Sequence, residues 1–202
     1  MKQFSIKPTS VPASLALTLA DAKRQVFIEP DETAYDDSLT DLIKAATAQV
    51  EEDAQICLLQ REWTLMLQRF PTTNGGIQLP YPPLVEIDAI NYTDPDGNVA
   101  NLAPADLTVF SDNPAVIWRG DRSNWPYIKS GTLVEVLYSS GHADAASIPE
   151  QAKHAIRLLV AHWFKNREAV GNIGQEVALA YERLIDSIRT NHCFDELGVM
   201  DE

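Results

Sequence analysis

Trp63-Thr64-Leu65-Met66-Leu67-Gln68-Arg69-Phe70 is where the chain changes period. The stretch begins with the alternation of a strand, whose side chains point to opposite faces, and it is bounded by Pro71 and the turn-forming Asn74-Gly75-Gly76. The residues before it repeat differently. Leu39, Leu42, Ile43, Ala46, Val50, Ala54 and Cys57 recur at steps of three and four, which predicts a helix from about Asp37 to Cys57. Asp36 and Asp37 stand at its start, where the helix dipole favours negative charge.

The flanks extend both patterns. Thr18-Leu19-Ala20-Asp21 has capping-box spacing and predicts a short helix to about Val26, followed by a loop from Phe27 to Ala34. After residue 70, strands are expected at Ile77 to Leu79, Val85 to Tyr92, Leu107 to Phe110, Ala115 to Trp118 and Thr132 to Tyr138, all rich in Val, Ile, Leu and aromatics. Asp94-Pro95-Asp96-Gly97 suits a tight turn between Tyr92 and Val99. Helical period returns after Ser147-Ile148-Pro149-Glu150, a second capping-box spacing, with Ile156, Leu159, Val160 and Trp163 on one stripe. Gly171 and Gly174 bracket a break. A last helix from about Gln175 to Arg189 aligns Val177, Tyr181, Leu184, Ile185 and Ile188.

The expected fold is therefore α+β: a helical bundle formed by the N- and C-terminal helices, with a small antiparallel β-sheet domain inserted between them. The boundaries read as 1–60 for the N-terminal helices, 61–146 for the sheet domain, 147–190 for the C-terminal helices and 191–202 for an acidic tail expected to be mobile.

Composition narrows the function classes. The 202 residues are 45% hydrophobic and 22% charged, enough to bury a core without disulfides or metal. Cys57 and Cys193 lie far apart and outside any zinc spacing, so both read as reduced thiols. The net charge of -13, from 29 acids against 16 bases, argues against a DNA-binding domain, which needs a basic face to displace counterions from phosphate. No run approaches the roughly 20 apolar residues of a membrane helix. Met1 to Pro12 lacks the apolar core of a secretion signal, so synthesis in the cytoplasm is expected.

His154 and His162 are eight residues apart, about two helical turns, which is too far for an easy shared metal. His142 and His192 have no nucleophile in a recognisable motif, and Ser139-Ser140-Gly141-His142 lacks an orienting carboxylate. There is no nucleophile elbow, phosphate loop or dinucleotide fingerprint. A small metal-dependent hydrolase using His142, His154 or His162 is the alternative from the enzyme class. Trp63, Trp118 and Trp163 fall in predicted elements and read as core. Trp125, in the loop-like Asp121-Arg122-Ser123-Asn124-Trp125-Pro126, reads as an exposed contact residue.

Several segments together resemble one family, the head-tail connectors or head-completion adaptors of tailed phages, in the long form that carries a β insertion. Leu19-Ala20-Asp21-Ala22-Lys23 and Asp37-x-Leu39-x-x-Leu42-Ile43-x-x-Ala46 look like its paired N-terminal helices. Leu79-Pro80-Tyr81-Pro82-Pro83-Leu84, with Ile87, Ile90, Tyr92, Asp94 and Gly97, is similar to its strand and turn pattern. Trp125-Pro126, Val134 to Tyr138 with Gly141, Ile148-Pro149 and His162-Trp163-Phe164-x-Asn166-Arg167-Glu168 follow in the same order. The stretch from Gln175 onward departs from the pattern. The resemblance implies a structural protein with no cofactor and no turnover. It would form a ring of twelve copies in the virion at the head-tail interface, docked on the portal protein and receiving a stopper, tail-completion protein or other tail component. DNA would pass through without sequence-specific binding. A tail-completion or other joining protein of the same particle is the nearest alternative.

Within that resemblance the charges acquire expected roles. A ring traversed by DNA gains from a lumen that repels phosphate, and Asp41, Glu51, Glu52 and Asp53 are candidate channel-lining acids. Lys153, Arg157, Lys165 and Arg167 on the third long helix are candidate subunit or portal contacts, together with Trp125.

Overall fold

A computed structural model describes residues 4–71, 75–110, 114–120, 124–166, 175–190 and 199–200. The fold is α+β and divides into two compact units. A sheet unit comprises Met1–Val11, Gln60–Gly141 and Thr190–Glu202, and a helical unit comprises Pro12–Leu59 and His142–Arg189.

In the helical unit, α1 (Leu19–Gln25) and α2 (Asp36–Ala54) share one core with α3 (Glu150–Lys165) and α4 (Gln175–Ile188). Leu39, Ile43, Ala46 and Val50 of α2 are fully buried with Ala152, Ala155, Ile156 and Val160 of α3 and, nearly so, Ile185 of α4. This is the stripe that the three-and-four spacing predicts. Burying one such aliphatic side chain contributes about 1.5–3 kcal/mol. The box at Thr18 also forms: its hydroxyl accepts the Asp21 N–H at 3.1 Å and donates to the Asp21 carboxylate at 2.7 Å. That bond holds the Asp21 carboxyl below the usual carboxylate range.

Two helix ends differ from expectation. Helix α2 stops at Ala54 rather than Cys57, because Gln55 turns left-handed (φ 56°) and donates its N–H to the Glu51 carbonyl. The apolar run Ile56-Cys57-Leu58-Leu59 stays buried as irregular chain, so the periodic signal outlasts the helix. At α3 the cap position is Pro149, with no side-chain cap, instead of Ser147. The Ser147 N–H and hydroxyl both donate to the Asp144 carboxylate, at 2.8 and 2.7 Å, closing a local turn before the helix.

The sheet unit holds two antiparallel sheets. The five-stranded sheet has the order β1-β2-β8-β4-β5, from β1 (Phe4–Pro8), β2 (Arg61–Leu67), β4 (Leu84–Thr93), β5 (Val99–Leu102) and β8 (Val134–Ser140). The four-stranded sheet has the order β6-β7-β3-β9, from β3 (Gly76–Gln78), β6 (Leu107–Phe110), β7 (Val116–Arg119) and β9 (Val199–Met200). In the first sheet Leu65, Val136, Ile90 and Leu102 stand opposite one another across four strands and are all buried. One residue along, Met66, Glu135, Asn91 and Asn101 occupy the other face, and the Asn101 amide donates to Asn91 at 2.8 Å. The pleat thus sorts apolar from polar residues, as period two requires.

Strands β1, β5 and β9 were not foreseen. Phe4–Pro8 is read with the N-terminal helices from sequence, yet it pairs with β2 from Phe4↔Leu67 to Pro8↔Trp63. Ser5-Ile6-Lys7-Pro8 shows no local apolar pattern long enough to signal a strand; the partner supplies the order. The expected mobile tail falls mostly outside the described residues, except that Val199–Met200 pairs with β3.

Candidate assembly surfaces

The structure disperses the residues singled out from sequence. Trp125 belongs to the sheet unit and is 7% exposed. Its indole N–H donates to the Gly75 carbonyl at 2.8 Å and its ring stacks on Phe70 at 5.0 Å. Phe70 in turn meets Tyr92 of β4 edge-on. The expectation of an exposed contact residue is therefore corrected: Trp125 is buried and serves as core. An indole that finds both a stacking partner and a carbonyl is more favourably buried than hydrated.

Two of the bases on α3, Lys153 and Arg157, are engaged within the helical unit. Lys153 is 9% exposed, and its ammonium donates to the Ala146 carbonyl at 3.2 Å and to Glu150 at 2.9 Å. The lysine beside Glu150 holds that carboxyl below its ordinary range. Arg157 is 3.8 Å from Glu150 and also acts on Asp21, so the α1–α3 contact carries a small charge network. Lys165 is exposed at the end of α3, and Arg167 lies outside the described residues.

The four candidate channel-lining acids on α2 separate into two kinds. Asp41 and Glu52 are exposed. Glu51 is 7% exposed, and its carboxylate accepts the Leu58 N–H at 2.8 Å, which fastens the irregular chain after the helix. Asp53 accepts the Tyr181 hydroxyl at 2.7 Å and the Gln49 amide at 3.0 Å, while its carbonyl takes the Arg189 guanidinium at 3.2 Å. Asp53 therefore docks α4 on α2. Burial, followed by the bond to Asp53, pushes the Tyr181 phenol well above its ordinary range.

The histidines do not converge. His154 is exposed, His162 is half-buried beside Asn166, and burial pulls the His142 imidazole below its ordinary range. Among the described residues no group of three His, Cys, Asp or Glu side chains could hold a metal ion, and no helix is long and apolar enough to cross a membrane.

The corner between α1 and α2 is a feature that sequence reading passed over as a loop. Lys23 is 5% exposed, and its ammonium reaches the Pro30 carbonyl at 3.2 Å, the Glu32 carbonyl at 2.6 Å and the Asp36 carboxylate at 2.7 Å. The corner is thereby closed on a buried cation. At its apex Phe27 has a φ of 58° and is 96% exposed. Tyr35 at the start of α2 meets Phe164 edge-on at 5.6 Å, so the far side of the corner is anchored on α3. The signal available in the sequence was a lysine on the apolar side of a short amphipathic helix, followed by a run of acids.

No protein-family model and no curated protein matches the chain. Solved structures do. A chain in the neck of an empty gene transfer agent particle, computed with C6 symmetry, superimposes with a TM-score of 0.79 at 22% identity, covering 94% of this chain and 97% of that one. A chain in the virion of the native gene transfer agent particle gives 0.76 at 22% identity with the same coverage. A chain in the neck of the native particle, computed with C12 symmetry, gives 0.74 at 21% identity, again over 94% and 97% of the two chains. At this identity the likeness establishes a shared fold, over nearly the whole of both chains.

Proposed function

We propose that the protein is a structural component of the neck of a phage-like particle, a head-tail connector that forms a ring on the portal and receives the next connector or tail component. The observation that carries this reading is the end-to-end fold likeness to chains built into gene transfer agent necks. A partial match would have suggested a borrowed domain; coverage of 94% and 97% includes the helical ends as well as the sheets. Necks computed with sixfold and twelvefold symmetry support a ring of identical copies. The role in this reading is architectural, with no cofactor and no turnover, and the place of action is the virion.

The charge fits a conduit for DNA. A lumen lined by acids repels phosphate, whereas bases would hold the DNA by counterion release. With Glu51 and Asp53 engaged inside the helical unit, Asp41 and Glu52 are the exposed acids of α2 that suit the lumen best.

Electron microscopy of the purified chain mixed with the portal protein of the same particle tests the reading. Rings stacked on the portal are expected. A monomer that ignores the portal and carries stoichiometric, tightly bound metal would replace the connector by the hydrolase alternative.

A further inference from the structure

We propose, on the connector reading above, that Phe27 is a docking residue: the aromatic apex of the α1–α2 corner inserts into an apolar recess, rimmed by lysine and arginine, on another protein of the neck.

Phe27 stands where a helix ends. The Ile28 N–H bonds to the Lys23 carbonyl at 3.0 Å and the Phe27 N–H to the Arg24 carbonyl at 3.4 Å, the paired bonds of a Schellman motif. Phe27 occupies the left-handed position of that motif, with φ 58°, where glycine is the favoured residue because it has no Cβ to strain. The fold obtains no burial in return, since the side chain is 96% exposed. A residue that is conformationally disfavoured and buries nothing adds nothing to the stability of the chain that carries it.

The corner is also built to hold the backbone that carries Phe27. The Lys23 ammonium binds two loop carbonyls and Asp36, so the segment from α1 to α2 is tied at three points on one buried cation. A backbone already fixed loses little freedom on docking, so the ordering cost is confined to the two torsions of one aromatic side chain.

Charge selects the occupant. Glu29, Asp31, Glu32 and Asp37 are all exposed on the same corner; its buried base, Lys23, is taken up by two loop carbonyls and Asp36, and its exposed base, Arg24, is paired with Asp21. Such a rim is complementary to a basic surface and repels nucleic acid.

The test uses the full chain with the purified portal protein and the next neck protein of the same particle, following binding by interferometry at low and raised salt. Phe27→Gly should lower affinity for one of them roughly tenfold or more while leaving the melting temperature unchanged or higher. The double reversal Glu29→Lys with Asp31→Lys should weaken the same complex. Wild-type binding that Phe27→Gly leaves intact overturns this inference and leaves the connector reading standing. Wild-type binding to neither protein removes both. Loss of self-association alone in Phe27→Gly, with self-association strengthened by the charge reversal, identifies a second copy as the occupant and overturns the proposed partner.

Discussion

Lys23 shows how much one buried charge can organise. Its ammonium satisfies two carbonyls and one carboxylate, so Lys23→Met would leave the Asp36 charge and both carbonyls without their partner. Removing one member of a buried pair is costly, and because Asp36 is partly exposed the expected loss is about 2–3 kcal/mol, measurable by urea denaturation. Tyr181 makes the complementary case. Its hydroxyl donates to Asp53, and Tyr181→Phe should cost about 1 kcal/mol, the net worth of a typical hydrogen bond. The pH dependence has a definite sign. The folded phenol keeps its proton above the unfolded value of 10.0, so the unfolded chain releases it first and wild-type stability falls as pH rises past that value. Chemical denaturation at alkaline pH should show that decline flattened in Tyr181→Phe. Neither residue's role could be read beforehand: Tyr181 was placed on the apolar stripe of its helix, but its partner lies 128 positions away. Trp125 was misjudged for a related reason. A tryptophan among Asp, Arg, Ser and Asn looks exposed until the Gly75 carbonyl and the Phe70 ring are known to meet it.

Helices were legible and strands partly so, because a helix satisfies its backbone locally while a strand depends on its neighbours. Helix α1 begins at the box that Thr18 announces, and Thr18→Ala should cost about 1 kcal/mol in thermal melts through loss of the cap. At α3 the same spacing misled, since Ser147 serves the Asp144 turn and Pro149 takes the cap position alone. Among the strands, Leu107–Phe110 was placed to the residue, and Arg61–Leu67, Leu84–Thr93 and Val134–Ser140 within a few positions, by β-branched and aromatic content. Strand β1 escaped because five residues ending in proline carry no alternation that outweighs chance. Gly76 in β3 marks a close approach that no pattern reveals: a Cβ there would press on the Val116 methyl and stand 2.9 Å from the Trp118 ring. Gly76→Ala is therefore expected to destabilise the sheet unit by about 1–3 kcal/mol, seen as a lower urea midpoint.

At the scale of the entire molecule, the proposed connector reading makes ring assembly and DNA passage the things to measure. Charge reversal at Asp41 and Glu52 should leave melting unchanged, since both are exposed, and should slow DNA release from reconstituted particles if they face the lumen. Unchanged release would remove these two acids from the channel while leaving the connector reading in place. Periodicity alone was enough for an α+β chain with most of its strands between two pairs of helices, because three-and-four and two-residue repeats are imposed by local backbone geometry, but it missed the strands β1 and β9 that lie outside those helices. Composition alone argued against a basic nucleic-acid domain. Burial and long-range pairing were needed for everything that sorts one polar residue from another. They separated the exposed Asp41 and Glu52 from the engaged Glu51 and Asp53, and they took Lys153 and Trp125 off the surface. Phe27 became prominent only when its left-handed backbone and full exposure were seen together. A side chain's neighbours come from segments far apart in the chain, and its chemistry depends on those neighbours more than on the residues beside it.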